Sequence, residues 1–223
     1  MTKKERVQVI LTLLYEQYGP TKCYLDHENE WQLLIATMLS AQCTDDRVNL
    51  VTKELFRKYP SIQAFAEASL SELERDIHST GFYHNKAKNI IACCQKLLTE
   101  FGGEVPSDID ALTSLAGVGR KTANVVRGNW YGIPSVVVDT HVKRLSRHLG
   151  LTKQEDPVKI EFDLMKIVPK EKWIDINTQL IAHGRKICVA RSPKCHICFL
   201  LPYCPGGKAL EKAKQQAGKK AKG

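Results

Sequence analysis

Apolar residues near the start of the chain recur with the 3.6-residue period of an α-helix. Over residues 3–17 they stand at positions i, i+3, i+4 and i+7, which predicts an amphipathic helix. Residues 30–41 are apolar on nearly every side, a pattern typical of a helix at the centre of a helical domain. The next helix is expected to begin after Thr44 and to end before Pro60, because threonine is a common N-cap and proline stops a helix.

The helical period continues through the rest of the chain. Residues 61–77 are expected to form shorter helices, and a long helix is expected to open within 81–88 and to close at Gly102. Further helices are predicted after Ser107, over 121–131, around 142–149, after Asp156 and over 173–187. The β-branched run 136–138 is expected to be extended and to deliver Asp139 to a helix start. Since no run has the two-residue period of a strand, the sequence predicts an all-α fold.

A glycine-rich turn separates two of these helices at residues 115–121, which read L-A-G-V-G-R-K. Gly117 and Gly119 flank Val118, and glycines in such a turn let backbone N–H groups face outward without obstruction by side chains. A nest of N–H groups of this kind binds phosphate. Gly-x-Gly alone is a weak signal, because an ordinary helix end can have the same composition. On its own, the turn leaves both interpretations open.

Two charged residues near this turn are candidates for catalysis. Lys121 stands in the first turn of the new helix, where the positive dipole end favours a neutral amine, the nucleophilic form of lysine. Asp139 stands where the following helix is expected to begin, and aspartate is a good N-cap. A capping role alone would explain Asp139, although capping and catalysis can coexist in one residue.

The cysteines fall into two groups. Four of the eight lie within 17 residues, spaced C-x6-C-x2-C-x5-C, and so many thiolates at this density can hold either zinc or an iron-sulfur cluster. Zinc sites usually contain two C-x2-C pairs, and this segment contains one. The members of this group are Cys188, Cys195, Cys198 and Cys204. The others lie among apolar or helical residues and are expected to be buried free thiols: Cys23, Cys43, Cys93 and Cys94.

The segment L-A-G-V-G-R-K-T-A-N, followed by V-D-T-H-V, resembles the helix-hairpin-helix and catalytic stretch of the endonuclease III family of DNA glycosylases. The resemblance implies that Lys121 and Asp139 are catalytic and that the four clustered cysteines hold a 4Fe-4S cluster. It also implies two helical lobes around a DNA-binding groove, with the iron-sulfur loop near the C-terminus. One departure is Ala116, where the family usually has proline; the change removes no hydrogen-bond donor.

The same resemblance implies a division of the chain into domains. A six-helix domain with the hairpin would span residues 22–133, and a discontinuous domain would combine residues 1–21 with 134–207. Residues 208–223 hold six lysines and one glutamate. Because this composition cannot form a hydrophobic core, the segment is expected to be a disordered basic tail.

The resemblance also indicates the residues that contact DNA. An enzyme acting on a base within a duplex must extrude the nucleotide. In the family, residues at two turns between helices, here called the corners, then fill the space that the nucleotide leaves. These residues correspond to Gln42 and to Phe82, where leucine is common. Contacts with the DNA backbone are expected from the hairpin residues Leu115, Gly117, Val118 and Gly119. They are also expected from Arg191 and Lys194, in the loop between the first two clustered cysteines. The alternatives are a packed loop residue at Gln42 and at Phe82, and a solvated basic loop at Arg191 and Lys194.

Charge and hydropathy restrict the partner and the location. The net charge of +9 suggests a polyanionic partner, but the tail contributes +5, which leaves about +4 on the rest of the chain. No apolar run is long enough to span a bilayer, and no export signal follows the N-terminus. The chain is expected to lie in the cytoplasm at the nucleoid, without a membrane partner, and we also expect it to be a monomer.

The resemblance implies a bifunctional DNA glycosylase and AP lyase. Its expected substrate is double-stranded DNA with oxidised pyrimidines or abasic sites, which it would cleave by β-elimination through a lysine Schiff base. Three alternatives remain: a monofunctional mismatch glycosylase, an adenine glycosylase, and a non-catalytic helix-hairpin-helix DNA-binding module. Lys121 argues against the first of these, the absence of a long C-terminal extension against the second, and the pairing of Lys121 with Asp139 against the third.

Overall fold

A computed structural model of the protein describes residues 2–20 and 22–220. Helices dominate and no β-strand occurs in these ranges, so the all-α prediction is confirmed. The α-helices are α1 (Lys3–Tyr18), α2 (Glu30–Leu39), α3 (Asp45–Lys58), α4 (Ile62–Ala66), α5 (Leu70–Asp76), α6 (Tyr83–Glu100), α7 (Ile109–Thr113), α8 (Arg120–Asn129), α9 (Thr140–His148), α10 (Pro157–Ile167), α11 (Trp173–Lys186) and α12 (Pro205–Lys220).

The chain divides into two compact units. One unit is Cys23–Ile133, and the other combines Met1–Lys22 with Pro134–Gly223. Each has its own hydrophobic core. We call them the hairpin unit and the cysteine unit, after the features that they contain.

The core of the hairpin unit is built around α2 and α6. All residues of α2 from Gln32 to Leu39 are buried, as its continuous apolar sequence predicts. Helix α6 packs against α4 and α5, and α2 packs against α8. Edge-on aromatic contacts fill one end of the core, where the Trp31 and Phe56 ring centroids lie 5.4 Å from each other and Phe65 joins them. The first residues of α8, which include Lys121, therefore project from a packed scaffold.

The core of the cysteine unit brings together the two ends of the chain. Helix α1 packs against α11, and α11 packs against α9. The Gln179 side-chain amide of α11 donates to the backbone carbonyl of Gly19, just after α1, over 2.9 Å. These contacts fix the start of α9, where Asp139 lies.

The cap of one helix differs from the sequence prediction, which places it at Ser107. The short helix α7 is capped by Asp108, not by Ser107, because the Asp108 carboxylate accepts hydrogen bonds from the N–H groups of Asp110 and Ala111, both over 2.9 Å. Serine and aspartate cap helices about equally well, so the sequence does not decide between neighbours.

The expected disordered tail is helical where the structure describes it. Helix α12 extends to Lys220, and residues 221–223 lie outside the described part. Pro205 starts the helix at the position that proline favours, and the alanine, lysine and glutamine residues that follow have high helix propensity. Half-buried Leu210 lines the same cavity as the four clustered cysteines, and Lys214 pairs with Glu211 over 3.2 Å. The prediction was wrong because it considered core formation and neglected helix propensity.

Among the described residues, none of the helices combines the length and the apolar character that crossing a membrane requires.

Candidate active site and iron-sulfur loop

The glycine turn of the hairpin unit requires glycine for steric reasons at one position. Gly117 has φ of +73°, and a Cβ atom there would lie 2.8 Å from the Asn89 Cβ and 3.0 Å from the Met38 methyl group. Gly119 is the N-cap of α8 and has open space around it. An L-residue at position 117 would therefore disturb the packing of the turn on α2 and α6.

The four hairpin residues expected to contact DNA differ in exposure. The side chains of Leu115 and Val118 are buried in the core, and the Val118 N–H donates to the Leu115 carbonyl over 3.1 Å. Gly117 and Gly119 are exposed. The backbone exposed at the turn is therefore that of the two glycines and of the first turn of α8, where N–H groups have no intrahelical partner.

Lys121 is the second residue of α8 and its side chain is exposed. No acidic residue lies in the first turn of this helix and no side chain caps it. The positive end of the helix dipole is therefore not neutralised by a carboxylate of its own first turn. An accessible amine at a helix N-terminus is available as a nucleophile toward a substrate bound at that end of the helix.

Asp139 is the N-cap of α9 in the cysteine unit, as predicted. Its Oδ1 accepts a hydrogen bond from the Val142 N–H over 2.7 Å, and its side chain is half-buried. Val136 and Val137 of the preceding segment are buried and hold the chain in its approach to the helix, although residues 133–139 form no regular element. A carboxylate has two oxygens, so the cap is compatible with a second role for the charge.

The two predicted corner residues share an unusual backbone conformation. Gln42, between α2 and α3, has φ of +55°, and Phe82, the N-cap of α6, has φ of +51°. They are the only non-glycine residues with positive φ in the described part of the chain. This region of conformational space costs a side chain of this size on the order of 1 kcal/mol or more, and such strain concentrates at functional sites.

Both corner residues line one cavity of the hairpin unit. Gly117 of the turn also lines it, so the structure gathers three of the predicted DNA-contact residues at one place. Phe82 is 62% exposed and Gln42 is exposed as well, although phenylalanine is usually buried. The remaining lining residues are Met38, Ala41, Asn85, Lys86 and Asn89.

The structure also reveals a buried lysine that the sequence analysis did not single out. Lys86 is 7% exposed, and its Nζ donates to the carbonyl oxygens of Leu39 over 2.7 Å and Thr80 over 2.9 Å. Desolvation lowers the pKa of its ammonium group, with Cys43 acting in the opposite direction. A sequence signal existed: Lys86 stands four residues before Ile90 on the apolar face of α6, where a lysine is unexpected.

The four clustered cysteines of the cysteine unit line a single cavity. Cys188 follows α11, and two short 3₁₀ turns, Cys195–Ile197 and Leu201–Tyr203, carry or flank the others. The cavity has an empty volume of about 410 Å³, including solvent at its mouth, and is otherwise walled mainly by apolar side chains such as Leu149 and Leu200. Within the described residues, no three Cys, His, Asp or Glu side chains are close enough together to hold a single metal ion.

Hydrogen bonds hold the cysteine segment in place around this cavity. Arg144 donates to the Cys188 carbonyl over 2.7 Å, and the Gly207 N–H donates to the Cys204 Sγ over 3.2 Å. The Cys198 Sγ lies 3.4 Å from His183 Nε2. Burial raises the pKa of all four thiols, that of Cys198 to about 11. Burial by itself therefore favours the protonated thiols at neutral pH, and thiolates in this cavity would require a cationic group to balance their charge.

The basic loop lies between Cys188 and Cys195. Arg191 and Lys194 are both exposed, and the Lys194 N–H donates to the Ile187 carbonyl over 3.0 Å. This bond anchors the loop to the end of α11. Arg191 and Lys194 therefore stand on a loop whose end is hydrogen-bonded back to its start.

Comparisons with known proteins agree with this geometry. Residues 35–170 match the model of the HhH-GPD superfamily base excision DNA repair proteins, and residues 188–204 match the iron-sulfur binding domain of endonuclease III. The second match begins and ends on the first and last of the four clustered cysteines.

Relatives match over nearly their whole length. Endonuclease III of Synechocystis sp. is 51% identical over 93% of this chain and 95% of its own, and that of Bacillus subtilis is 44% identical over 95% and 97%. A solved structure of a trapped endonuclease III-DNA covalent intermediate has a TM-score of 0.91 at 45% identity, covering 95% of this chain and 100% of that one. The chain belongs to the endonuclease III family. It is accordingly a DNA glycosylase with AP lyase activity in base excision repair, and it binds DNA.

The family assignment decides between the two metal groups that the cysteine spacing left open. A 4Fe-4S cluster is the cofactor of this endonuclease III family member, and Cys188, Cys195, Cys198 and Cys204 are the residues that would hold it. Four cysteines around one mainly apolar cavity fit such a group. When bound, the cluster supplies structural cross-links; the protein's own contribution is a loop that presents Arg191 and Lys194.

Replacement of one ligand should show this structural role. In Cys198→Ser we expect less bound iron and sulfide, weaker visible absorption and a lower soluble yield, because cluster binding is coupled to folding of the loop. Cys93→Ser, a matched change of a buried cysteine in the hairpin unit, should leave the iron content unchanged. A wild-type protein with stoichiometric zinc and no iron would contradict the cofactor assignment.

Proposed function

We propose that this endonuclease III family member removes oxidised pyrimidines from duplex DNA and cleaves the resulting abasic site, with Lys121 as the nucleophile. The observation that carries the proposal is an exposed lysine in the first turn of α8, directly after a sterically required glycine turn. The turn and the helix N-terminus would bind DNA phosphates, and the amine would stand beside them.

In this proposal, the Lys121 Nζ attacks the sugar C1′ while the base leaves with its glycosidic bonding electrons and takes up a proton. The attached nitrogen then loses a proton, the C1′–O4′ bond breaks with its electrons going to O4′, and O4′ takes up a proton, which opens the sugar and leaves a protonated Schiff base between Nζ and C1′. Removal of a C2′ proton then expels the 3′ phosphate by β-elimination, and hydrolysis returns the free amine. The lysine is regenerated, so the cycle needs no redox partner.

Asp139 would act on the same substrate through its negative charge. Positive charge develops on the sugar as the base departs, and a fixed carboxylate stabilises it more in the transition state than in the ground state. The hydrogen bond from Val142 holds the carboxylate in one orientation, so little reorganisation is required when the charge develops.

Gln42 and Phe82 would occupy the space left by the extruded nucleotide. Support comes from their exposure, their strained backbone and their shared cavity in the hairpin unit. A phenylalanine ring offers a larger apolar wedge than the leucine common in the family, and it can stack on a neighbouring base.

Release of the damaged base tests the substrate assignment directly. We expect single-turnover release of an oxidised pyrimidine from a duplex to exceed release of thymine opposite guanine and of adenine opposite oxidised guanine. Each of the latter two substrates represents one of the alternative glycosylases. Preferential release of either would contradict the proposed substrate without affecting the family assignment.

The enzyme is proposed to act as a monomer at the nucleoid.

The loop residues Arg191 and Lys194 are proposed to contact DNA phosphates. Each phosphate contact contributes about 0.9 to the slope of log affinity against log salt concentration on duplex DNA. The double alanine variant should therefore bind all duplexes more weakly and lower the slope by about 1.8. Replacement of the exposed Lys53 and Arg57 of α3 is a control for net charge. An unchanged slope in the loop variant would place the loop outside the interface.

A further inference from the structure

The buried ammonium group of Lys86 connects the two strained corners of the hairpin unit. One acceptor, the Leu39 carbonyl, is at the end of α2, three residues before Gln42. The other, the Thr80 carbonyl, is two residues before Phe82. A single side chain therefore holds the backbone that leads to each of the two positive-φ residues.

We call these two hydrogen bonds of Lys86 the bridge. Because Lys86 is buried, the bridge restricts the backbone more than hydrogen bonds at the surface would. Lys86 is 7% exposed, so water does not readily replace either carbonyl. Hydrogen bonds from a charged donor are stronger than neutral ones, and their strength increases where the local dielectric is low. Because Lys86 itself is in the first turn of α6, the bridge also ties the corners to a long, well-packed helix.

The other hydrogen bonds at the two corners are local to each corner. Around Gln42, the Cys43 N–H bonds to the Ser40 carbonyl over 3.1 Å, and around Phe82, the Gly81 N–H bonds to the His78 carbonyl over 3.3 Å. These local bonds define each turn separately. Among the described residues, the Lys86 Nζ is the group that hydrogen-bonds to both backbone segments at once.

We propose that Lys86 is a positioning residue that keeps Gln42 and Phe82 at the spacing with which they enter the DNA. The inference rests on the proposed function, since it assumes that these two residues fill the space of the extruded nucleotide. Lys86 need not touch DNA itself, because both of its hydrogen bonds are made to protein carbonyls. Its effect passes through the backbone to two residues that line the same cavity.

The first experiment measures the bridge without DNA. Lys86→Met keeps the alkyl chain and removes the ammonium group, so we expect faster amide hydrogen exchange at residues 40–43 and 80–82 together. Lys96→Met is a matched control, because it removes a lysine-to-carbonyl hydrogen bond of 3.1 Å, to Ser114, from the same helix. It should leave exchange at both corners unchanged. Unchanged exchange at either corner in Lys86→Met would overturn the bridge.

The second experiment measures the role of Lys86 in catalysis by a double-mutant cycle. Misplacement of reacting or positioning groups by about 1 Å can cost 10²-fold in rate, so Lys86→Met should slow single-turnover base release by roughly 10²-fold. In a Gln42→Ala, Phe82→Ala background the same change should alter the rate by less than about twofold, since nothing remains to be positioned. Lys96→Met should have the same small effect in both backgrounds.

The outcomes separate this inference from the proposed function. An equal loss of rate from Lys86→Met in both backgrounds would show general destabilisation and overturn the positioning role. Absence of base release by the wild-type enzyme would instead contradict the proposed function, while hydrogen exchange still reports on the bridge. If Lys86→Met does not fold, Lys86→Gln, whose amide is shorter than the lysine side chain, is measured in the same cycle.

Discussion

Lys121→Gln should abolish strand cleavage and borohydride trapping on duplexes with an oxidised pyrimidine or an abasic site. The substitution keeps most of the side-chain length and the backbone donors of the glycine turn, and it removes the amine that forms the Schiff base. Affinity for damaged DNA should stay within a factor of a few, because the hairpin and the corner residues are unaltered. Gel analysis of cleavage beside a binding titration measures both effects.

A matched control separates loss of the nucleophile from loss of a positive charge. Lys53 is an exposed lysine of α3 in the same unit, and Lys53→Gln removes the same charge. The free energy of unfolding of both variants should lie within about 0.5 kcal/mol of that of the wild type, as is usual for surface substitutions. Cleavage should persist in Lys53→Gln. Residual trapping in Lys121→Gln would indicate another nucleophile. The Lys86 amine is a poor candidate although its pKa is lowered, because it already donates hydrogen bonds to two carbonyls.

The second large effect is expected for Asp139→Asn. Asparagine keeps the shape and an oxygen for the Val142 N–H, but it removes the negative charge that would stabilise the sugar. Base release should fall by about 10² to 10³, the loss seen when one electrostatic group is deleted from an active site. The free energy of unfolding should change by less than about 1 kcal/mol, because asparagine caps helices about as well as aspartate. Single-turnover kinetics and chemical denaturation measure the two quantities.

Asp156 provides the control for the capping role of Asp139. It is the N-cap of α10 in the same unit, and its Oδ1 accepts a hydrogen bond from the Lys159 N–H over 2.9 Å. Asp156→Asn should alter stability as little as Asp139→Asn and leave base release unchanged. If Asp139→Asn unfolded the protein, or slowed release no more than Asp156→Asn does, capping would be the only role of Asp139.

The helical fold was predictable because its signals are local. The periodic apolar faces of α1 and α6 and the capping residues Thr44 and Asp139 are read from a few neighbouring positions, and the structure bears them out. The cap of α7 was misplaced by one residue because serine and aspartate stand side by side. The C-terminal segment was misjudged because helix propensity there outweighs the shortage of apolar residues.

The site was less predictable, because its parts meet only in the folded chain. The glycine turn placed Lys121 at a helix start, and the family resemblance predicted the four cysteines as cluster ligands. They did not show that Gln42 and Phe82 both have left-handed backbone conformations, or that both line a cavity with Gly117. The bridge made by Lys86 joins carbonyls 47 and 6 residues away along the chain. No local pattern encodes such a contact, although a lysine on the apolar face of α6 was a sign that it needed partners.

Identification of the amino acid that becomes attached to DNA is the most direct test of the central claim. The wild-type enzyme is incubated with a duplex that carries one oxidised pyrimidine, reduced with borohydride and digested, and the modified peptide is sequenced by mass spectrometry. The account predicts a sugar remnant on the Nζ of Lys121. Attachment to another amine, or release of the base without any covalent adduct, would contradict it.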